Sequence, residues 1–254
     1  MEIDPSQNPW GPQMPTKRGT VRTDFNRAVV PTIACVNKSK IGLGVDFDEL
    51  IAALQKFLDQ CFVPVWGTPA KLIKARKPRP HCWNMLFLDD PDSPDAEGYH
   101  DITWRGTPLA KVFVKPTLDS GDQISVTACH ELCEMLIDPM ATLWCEGPRS
   151  TLWAYEVCDA VEEETFNIDG IAMSDFVYPA YFDQFRLKRP RSAQYDHLGK
   201  VKRPFQILKG GYSDIRHNRR TTERFGSRAK ARRFAQEDRR WHRSQFRKRQ
   251  VGNW

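Results

Sequence analysis

Ser125-Val126-Thr127-Ala128-Cys129-His130-Glu131-Leu132-Cys133-Glu134-Met135-Leu136-Ile137-Asp138-Pro139 decides the fold. Ser125 or Thr127 can cap the start of a helix, and Asp138-Pro139 ends it, because proline disfavours helical geometry in the residue before it. On such a helix His130 and Glu134 are one turn apart on the same face, where both can grip one metal ion. Glu131 then sits beside the ion and can take a proton from a bound water. Asp138, four residues on, falls near that face as a ligand, an outer acceptor, or simply the polar end of the helix. Cys129 and Cys133 point about 100° around the helix from His130 and Glu134. They read as small buried hydrophobes.

A hydrolytic metal needs about three protein ligands and an open position for water. The third is expected 26 residues beyond His130, in Glu156-Val157-Cys158-Asp159. A short helix over 152–160 presents Glu156 as ligand and Asp159 as an outer partner of His130. A set of one histidine and two glutamates is harder and more anionic than a two-histidine set, so a divalent metal such as calcium, magnesium or manganese suits it better than zinc on softness grounds. His100-Asp101 reaches this cleft, or else only closes its own loop. Glu162-Glu163-Glu164 reads as a solvated run.

The rest of the chain reads as an α+β layout. DELIAALQKFLDQCF, residues 48–62, has apolar residues at helical spacing and acids at its N-terminal end, which predicts an amphipathic helix. Strands are expected at Phe62–Trp66, Trp83–Leu88 and Leu109–Val114. The polar loop DDPDSPDAEGYHD separates the last two. Ile168–Gly170 and Phe176–Tyr181 look like a turn and a strand. Residues 1–31 form a Pro-rich extended arm, 32–185 the folded domain, and 186–254 a basic Arg-rich tail without a core of its own.

On these residues the chain resembles the gluzincin branch of zinc metallopeptidases, where His-Glu-x-x-His is followed by a helix bearing a glutamate ligand and a nearby aspartate. Glu134 replaces the second histidine. The resemblance implies a zincin-like domain with 48–62 as backing helix, a small mixed sheet, Leu109–Val114 as the substrate-pairing edge strand, and 125–138 as the metal-type helix. More narrowly, the chain resembles phage and bacterial proteins with a His-Glu-x-x-Glu motif. GYHD…GTPLAKVFV, HELCEMLIDP and YEVCDAVE…IDGIAMSDFVYPAYF carry that likeness over roughly residues 40–212. It implies a phage-type, metal-dependent, peptidase-like protein with Glu131 as general base, metallopeptidase-like if it is active at all.

Charge is strongly partitioned. Residues 1–185 hold 16 Lys+Arg against 27 Asp+Glu, and residues 186–254 hold 22 against 5. An acidic domain with a basic tail expects a polyanion or an acidic protein surface as partner. Arg219, Arg220, Arg232, Arg233, Arg239, Arg240, Trp241, Arg247, Lys248 and Arg249 are the candidate contacts to nucleic acid or neighbouring subunits, with Trp241 stacking on bases. The rival to an enzyme is therefore a catalytically silent virion or structural protein on a zincin scaffold, held in an oligomer or assembly by its arms. The N-terminus has no basic and apolar leader pattern, and no run is long and apolar enough to span a bilayer. Seven scattered cysteines read as reduced thiols. The expected location is the host cytoplasm or the virion.

Overall fold

The computed structural model describes residues 30–92, 96–185, 193–218, 220–229 and 231. The arm up to residue 29 lies outside them, as do residues 232–254. Among the described residues the fold is mixed α+β, with three sheets and few helices.

The chain enters at β1 (Thr32–Asn37), whose four central residues are all buried, as befits a strand covered on both faces. Helix α1 (Phe47–Phe57) follows. The Asp46 carboxylate caps it by accepting from the N–H groups of Asp48 (2.8 Å) and Glu49 (3.1 Å). Its buried face is Leu50, Ile51, Leu54 and Phe57. The helix continues through a π-helical turn (Leu58–Phe62) into α2 (Val63–Trp66). Pro64 has no N–H to give to the carbonyl four residues back, and a widened turn accommodates the missing bond. The strand expected at Phe62–Trp66 is therefore helical. Gly67, at φ 70°, ends it in the left-handed region.

Strands β2 (Lys71–Lys74), β3 (Trp83–Leu88), β4 (Gly98–Ile102) and β5 (Pro108–Phe113) complete the main sheet in the order β2-β1-β3-β5-β4. All pairings are parallel except β4–β5, which is antiparallel with Gly98 opposite Val112 and Ile102 opposite Pro108. The strand expected as the sheet edge, Leu109–Val114, is thus interior. The edge is β4, drawn from the end of the polar loop. Polar composition hid it, because His100 and Asp101 are polar residues buried by what packs on them.

A short helix α3 (Val114–Asp119) leads into α4 (Ile124–Ile137), which packs across β4 and β5. Its cap is Gln123, without a side-chain bond. Ser125 and Thr127, expected as caps, lie inside the first turns and are buried.

A second, antiparallel sheet has the order β11-β10-β7-β6, from β6 (Trp144–Gly147), β7 (Thr151–Ala154), β10 (Tyr212–His217) and β11 (Arg220–Phe225). The helix expected over 152–160 is not formed. Residues 151–154 pair with β6 and β10, and only Asp159–Val161 turns helically, as a single 3₁₀ turn. Sheet pairing overrides the local pattern there. The hairpin of β8 (Thr165–Ile168) and β9 (Ile171–Ser174) turns at Asp169-Gly170, as the sequence predicts. Phe176–Tyr181 is not a strand: Val177 makes one bridge to Asp196, and Pro179 opens a 3₁₀ turn. The core joins α1, α4 and the main sheet through Leu54, Phe57, Met85, Val112, Leu132 and Phe176. The fold also runs past the composition change at Arg186, since Tyr195, Val201, Phe205 and Ile215 are buried in it.

Candidate metal centre

Three chain segments deliver the polar residues that meet at the buried face of α4. The helix supplies His130, Glu131 and Glu134, and β4 supplies His100. The loop after β7 and the 3₁₀ turn beyond it supply Glu156 and Asp159. Asp138 fixes the helix end. Its own N–H donates to the Glu134 carbonyl (2.7 Å), and its carboxylate accepts from the N–H groups of Thr142 (3.0 Å) and Leu143 (2.7 Å). Asp138 thus serves foremost as the acceptor that turns the chain away from α4.

His130 Nε2 stands 3.3 Å from Glu134 Oε1 and 3.3 Å from Asp159 Oδ1. Two ligands bound tetrahedrally at about 2.0 Å to one ion lie about 3.3 Å apart, so this trio has the spacing a shared cation requires. Glu134 Oε1 also accepts from the N–H of Cys158 (3.2 Å), which ties the helix to the segment carrying Asp159. The neighbouring imidazole, His100, has Nε2 3.1 Å from the Asp138 carbonyl oxygen and 3.9 Å from Glu156 Oε2. Its Nδ1 lies 3.7 Å from both Glu131 Oε2 and Glu134 Oε2. Among the described residues, three groups have ligand atoms within 4.8 Å of one another, close enough to share a cation: His130–Glu134–Asp159, His100–Glu131–Glu134 and His100–Asp138–Glu156.

The close packing depends on Gly98. A Cβ there would fall 2.8 Å from Glu131 Oε1, 2.9 Å from Glu131 Cγ and 2.9 Å from Thr127 Cγ2. Only a residue without a side chain lets β4 lie this near the helix.

Electrostatics reflect the excess of carboxylates. Burial alone would lower the His100 pKa, but the charges of Glu156, Glu131 and Glu134 outweigh it and push it up to about 9. His130 is likewise raised well above the ordinary imidazole value against the effect of burial, by Glu134 and Asp159. Burial raises Glu134, with His130 pulling down and Asp159 and Glu131 pushing up. The surrounding carboxylates thus hold protons on both imidazoles above the ordinary histidine range.

A cleft of about 680 Å³ opens beside His130, Glu131 and Gly98. Asp90, Glu97, Asp119, Asp122, Glu162 and Glu163 also line it, against Lys115 alone among lysines and arginines.

Of the residues expected at the site, His130, Glu131 and Glu134 come together as the helix spacing implies. Glu156 faces His100 rather than His130, and Asp159, expected as an outer partner, takes the third position beside His130. With no helix over 152–160, Glu156 and Asp159 are not on a common face, and the turn at 159 brings the shorter acid to His130. His100 is central rather than peripheral. The sequence reading missed Gly98, although GYHD placed it two residues before His100. Cys129, Cys133 and Cys158 are buried free thiols, and burial pushes the latter two up. Among the basic candidates, Arg220 is exposed on β11, paired with His217. Arg219, Arg232, Arg233, Arg239, Arg240, Trp241, Arg247, Lys248 and Arg249 lie outside the described residues. Among the described residues, no helix is long and apolar enough to cross a membrane. Comparison with protein-family models, curated proteins and solved structures finds no match.

Proposed function

We infer that this chain is a metal-dependent hydrolase on a zincin-like domain, acting on peptide bonds. The observation that carries the reading is the convergence of His130, Glu134 and Asp159 at metal-ligand spacing beside a cleft. One imidazole and two carboxylates suit zinc, and suit manganese better than a two-histidine set would. Such a cation, when bound, supplies a lowered pKa for water and polarises a carbonyl.

The chain's own residues do the rest. Glu131 lies on the cleft wall next to His130, with Oε1 toward Gly98, where it accepts the proton of the attacking water and passes it to the leaving amine. The Cys158 N–H holds the Glu134 carboxylate in place. The edge strand β4 brings Gly98 to the cleft, with Glu97 just before it, and an extended peptide laid along an antiparallel edge is the substrate form that fits.

Hydrolysis of fluorescein-labelled casein by the full-length protein, with zinc or manganese added, tests the reading. Glu131→Gln is expected to lower kcat by about 10²–10⁴-fold while leaving metal content at the outer trio intact. No turnover in the wild type with either metal, or turnover unaffected by the substitution, would sink the enzymatic assignment in favour of a silent scaffold.

A further inference from the structure

We propose that the centre is dinuclear: a second divalent cation sits between His100 Nδ1, Glu131 Oε2 and Glu134 Oε2, with Glu134 bridging it to the cation at His130 and Asp159. This rests on the outer trio being a metal site, but its own support comes from different atoms. Glu134 turns Oε1 to His130 at 3.3 Å and Oε2 to His100 at 3.7 Å, so its two oxygens face two imidazoles. A carboxylate shared in this way is the usual link in sites whose ions lie about 3.5–4 Å apart.

The tautomer of His100 is set by its surroundings. Nε2 faces a carbonyl oxygen, which only accepts, so once a cation displaces the Nδ1 proton the ring keeps its remaining proton at Nε2 and binds through Nδ1. Nδ1 faces the two Oε2 atoms at 3.7 Å. The competing set, His100 with Asp138 and Glu156, is less apt on both counts. Its imidazole nitrogen is engaged with the carbonyl, and the Asp138 carboxylate already accepts two backbone N–H groups.

Glu131 supplies the independent sign of a missing cation. Its Oε2 is buried and makes no hydrogen bond, on a side chain only 7% exposed. A buried carboxylate oxygen without a hydrogen bond calls for a cation, a role the His100 ring 3.7 Å away fills when protonated and a metal ion fills when that proton leaves. Glu131 Oε1 stays at the cleft wall near Gly98, so holding the inner ion with Oε2 leaves the other oxygen for proton transfer.

The test uses full-length protein stripped by a chelator, reloaded with Mn²⁺ alone, desalted, and measured for metal content and electron paramagnetic resonance. Two manganese ions per chain with an exchange-coupled spectrum are expected. His100→Gln should leave one ion with an uncoupled six-line signal, and Asp159→Asn should also abolish the coupling. Circular dichroism checks that each variant is folded, and the wild-type spectrum decides the matter without any variant. One uncoupled ion per chain, unchanged by His100→Gln, overturns the dinuclear assignment and leaves the proposed hydrolase standing. No bound manganese or zinc overturns both.

Discussion

Replacing Gly98 by alanine tests the contact on which the centre depends. The added Cβ would lie 2.8 Å from Glu131 Oε1 and 2.9 Å from both Glu131 Cγ and Thr127 Cγ2. Ordinary carbon contacts lie at about 3.5–4.0 Å, so β4 and α4 must separate by roughly half an ångström or more. Neither neighbour yields easily: Glu131 and Thr127 are both buried, and the contact involves the root of the glutamate side chain as well as its end. Overpacking of this kind costs about 1–3 kcal/mol, which for a domain this size lowers Tm by about 2–4 °C per kcal/mol. The control is Gly42→Ala, at a glycine with open space around its virtual Cβ and no left-handed φ. It should be neutral or slightly stabilising through the unfolded chain. Urea unfolding of the two variants gives the difference directly. Thr127→Ser removes one of the three contacts, so Gly98→Ala in that background should recover part of the loss, read as a coupling energy of about 1 kcal/mol. Manganese affinity should fall in Gly98→Ala, because the displaced side chain is Glu131. If Gly98→Ala is as stable as Gly42→Ala and binds manganese like the wild type, the close approach of β4 to α4 is wrong.

Two further expectations concern stability alone. Asp138 is fully buried with both carboxylate oxygens on backbone N–H groups, so Asp138→Ala should cost about 3–5 kcal/mol in denaturant unfolding, and Asp138→Asn less, since its amide keeps one acceptor. Asp175 is pushed up to about 8 by burial and by the neighbouring Asp196. The native state therefore keeps a proton that the unfolded chain releases near pH 4, and stability falls as pH rises from about 4 to about 8. Asp175→Asn should flatten that slope between pH 5 and pH 8, and parallel slopes for the two proteins would refute the raised Asp175 value.

Much of the centre was legible because a helix imposes its own geometry. Once SVTACHELCEMLIDP is read as helical, the relation of His130 to Glu134 follows from the period alone. The partners across from the helix were harder, because nothing local fixes them. The segment 152–160 reads as a helix by itself, but its first residues, through Ala154, become a strand when β6 and β10 pair with them, which exchanges the places of Glu156 and Asp159. β4 was invisible for a related reason: a strand of Tyr, His and Asp has no apolar alternation, and the burial of His100 and Asp101 comes from the helix above them. The tail boundary was drawn at the change in charge, yet apolar residues from Tyr195 to Ile215 still belong to the core. Composition reports the solvated face of a segment and says little about its buried one.

Glu134 began as the residue that spoils a peptidase signature, and the geometry gives the substitution a purpose. An imidazole at this position offers one ring nitrogen to an ion, and the other nitrogen, on the far side of a rigid ring, carries a proton and must be given an acceptor. A carboxylate offers two oxygens of the same charge from one carbon. Here one oxygen meets His130 and Asp159's neighbourhood while the other meets His100 and Glu131. The same residue that moves the outer site away from a two-histidine zinc set is therefore the one that joins it to the imidazole on β4. In the proposed dinuclear centre the edge strand, held close by Gly98, would contribute a ligand as well as a wall of the cleft, and that contribution needs a bridging group at position 134.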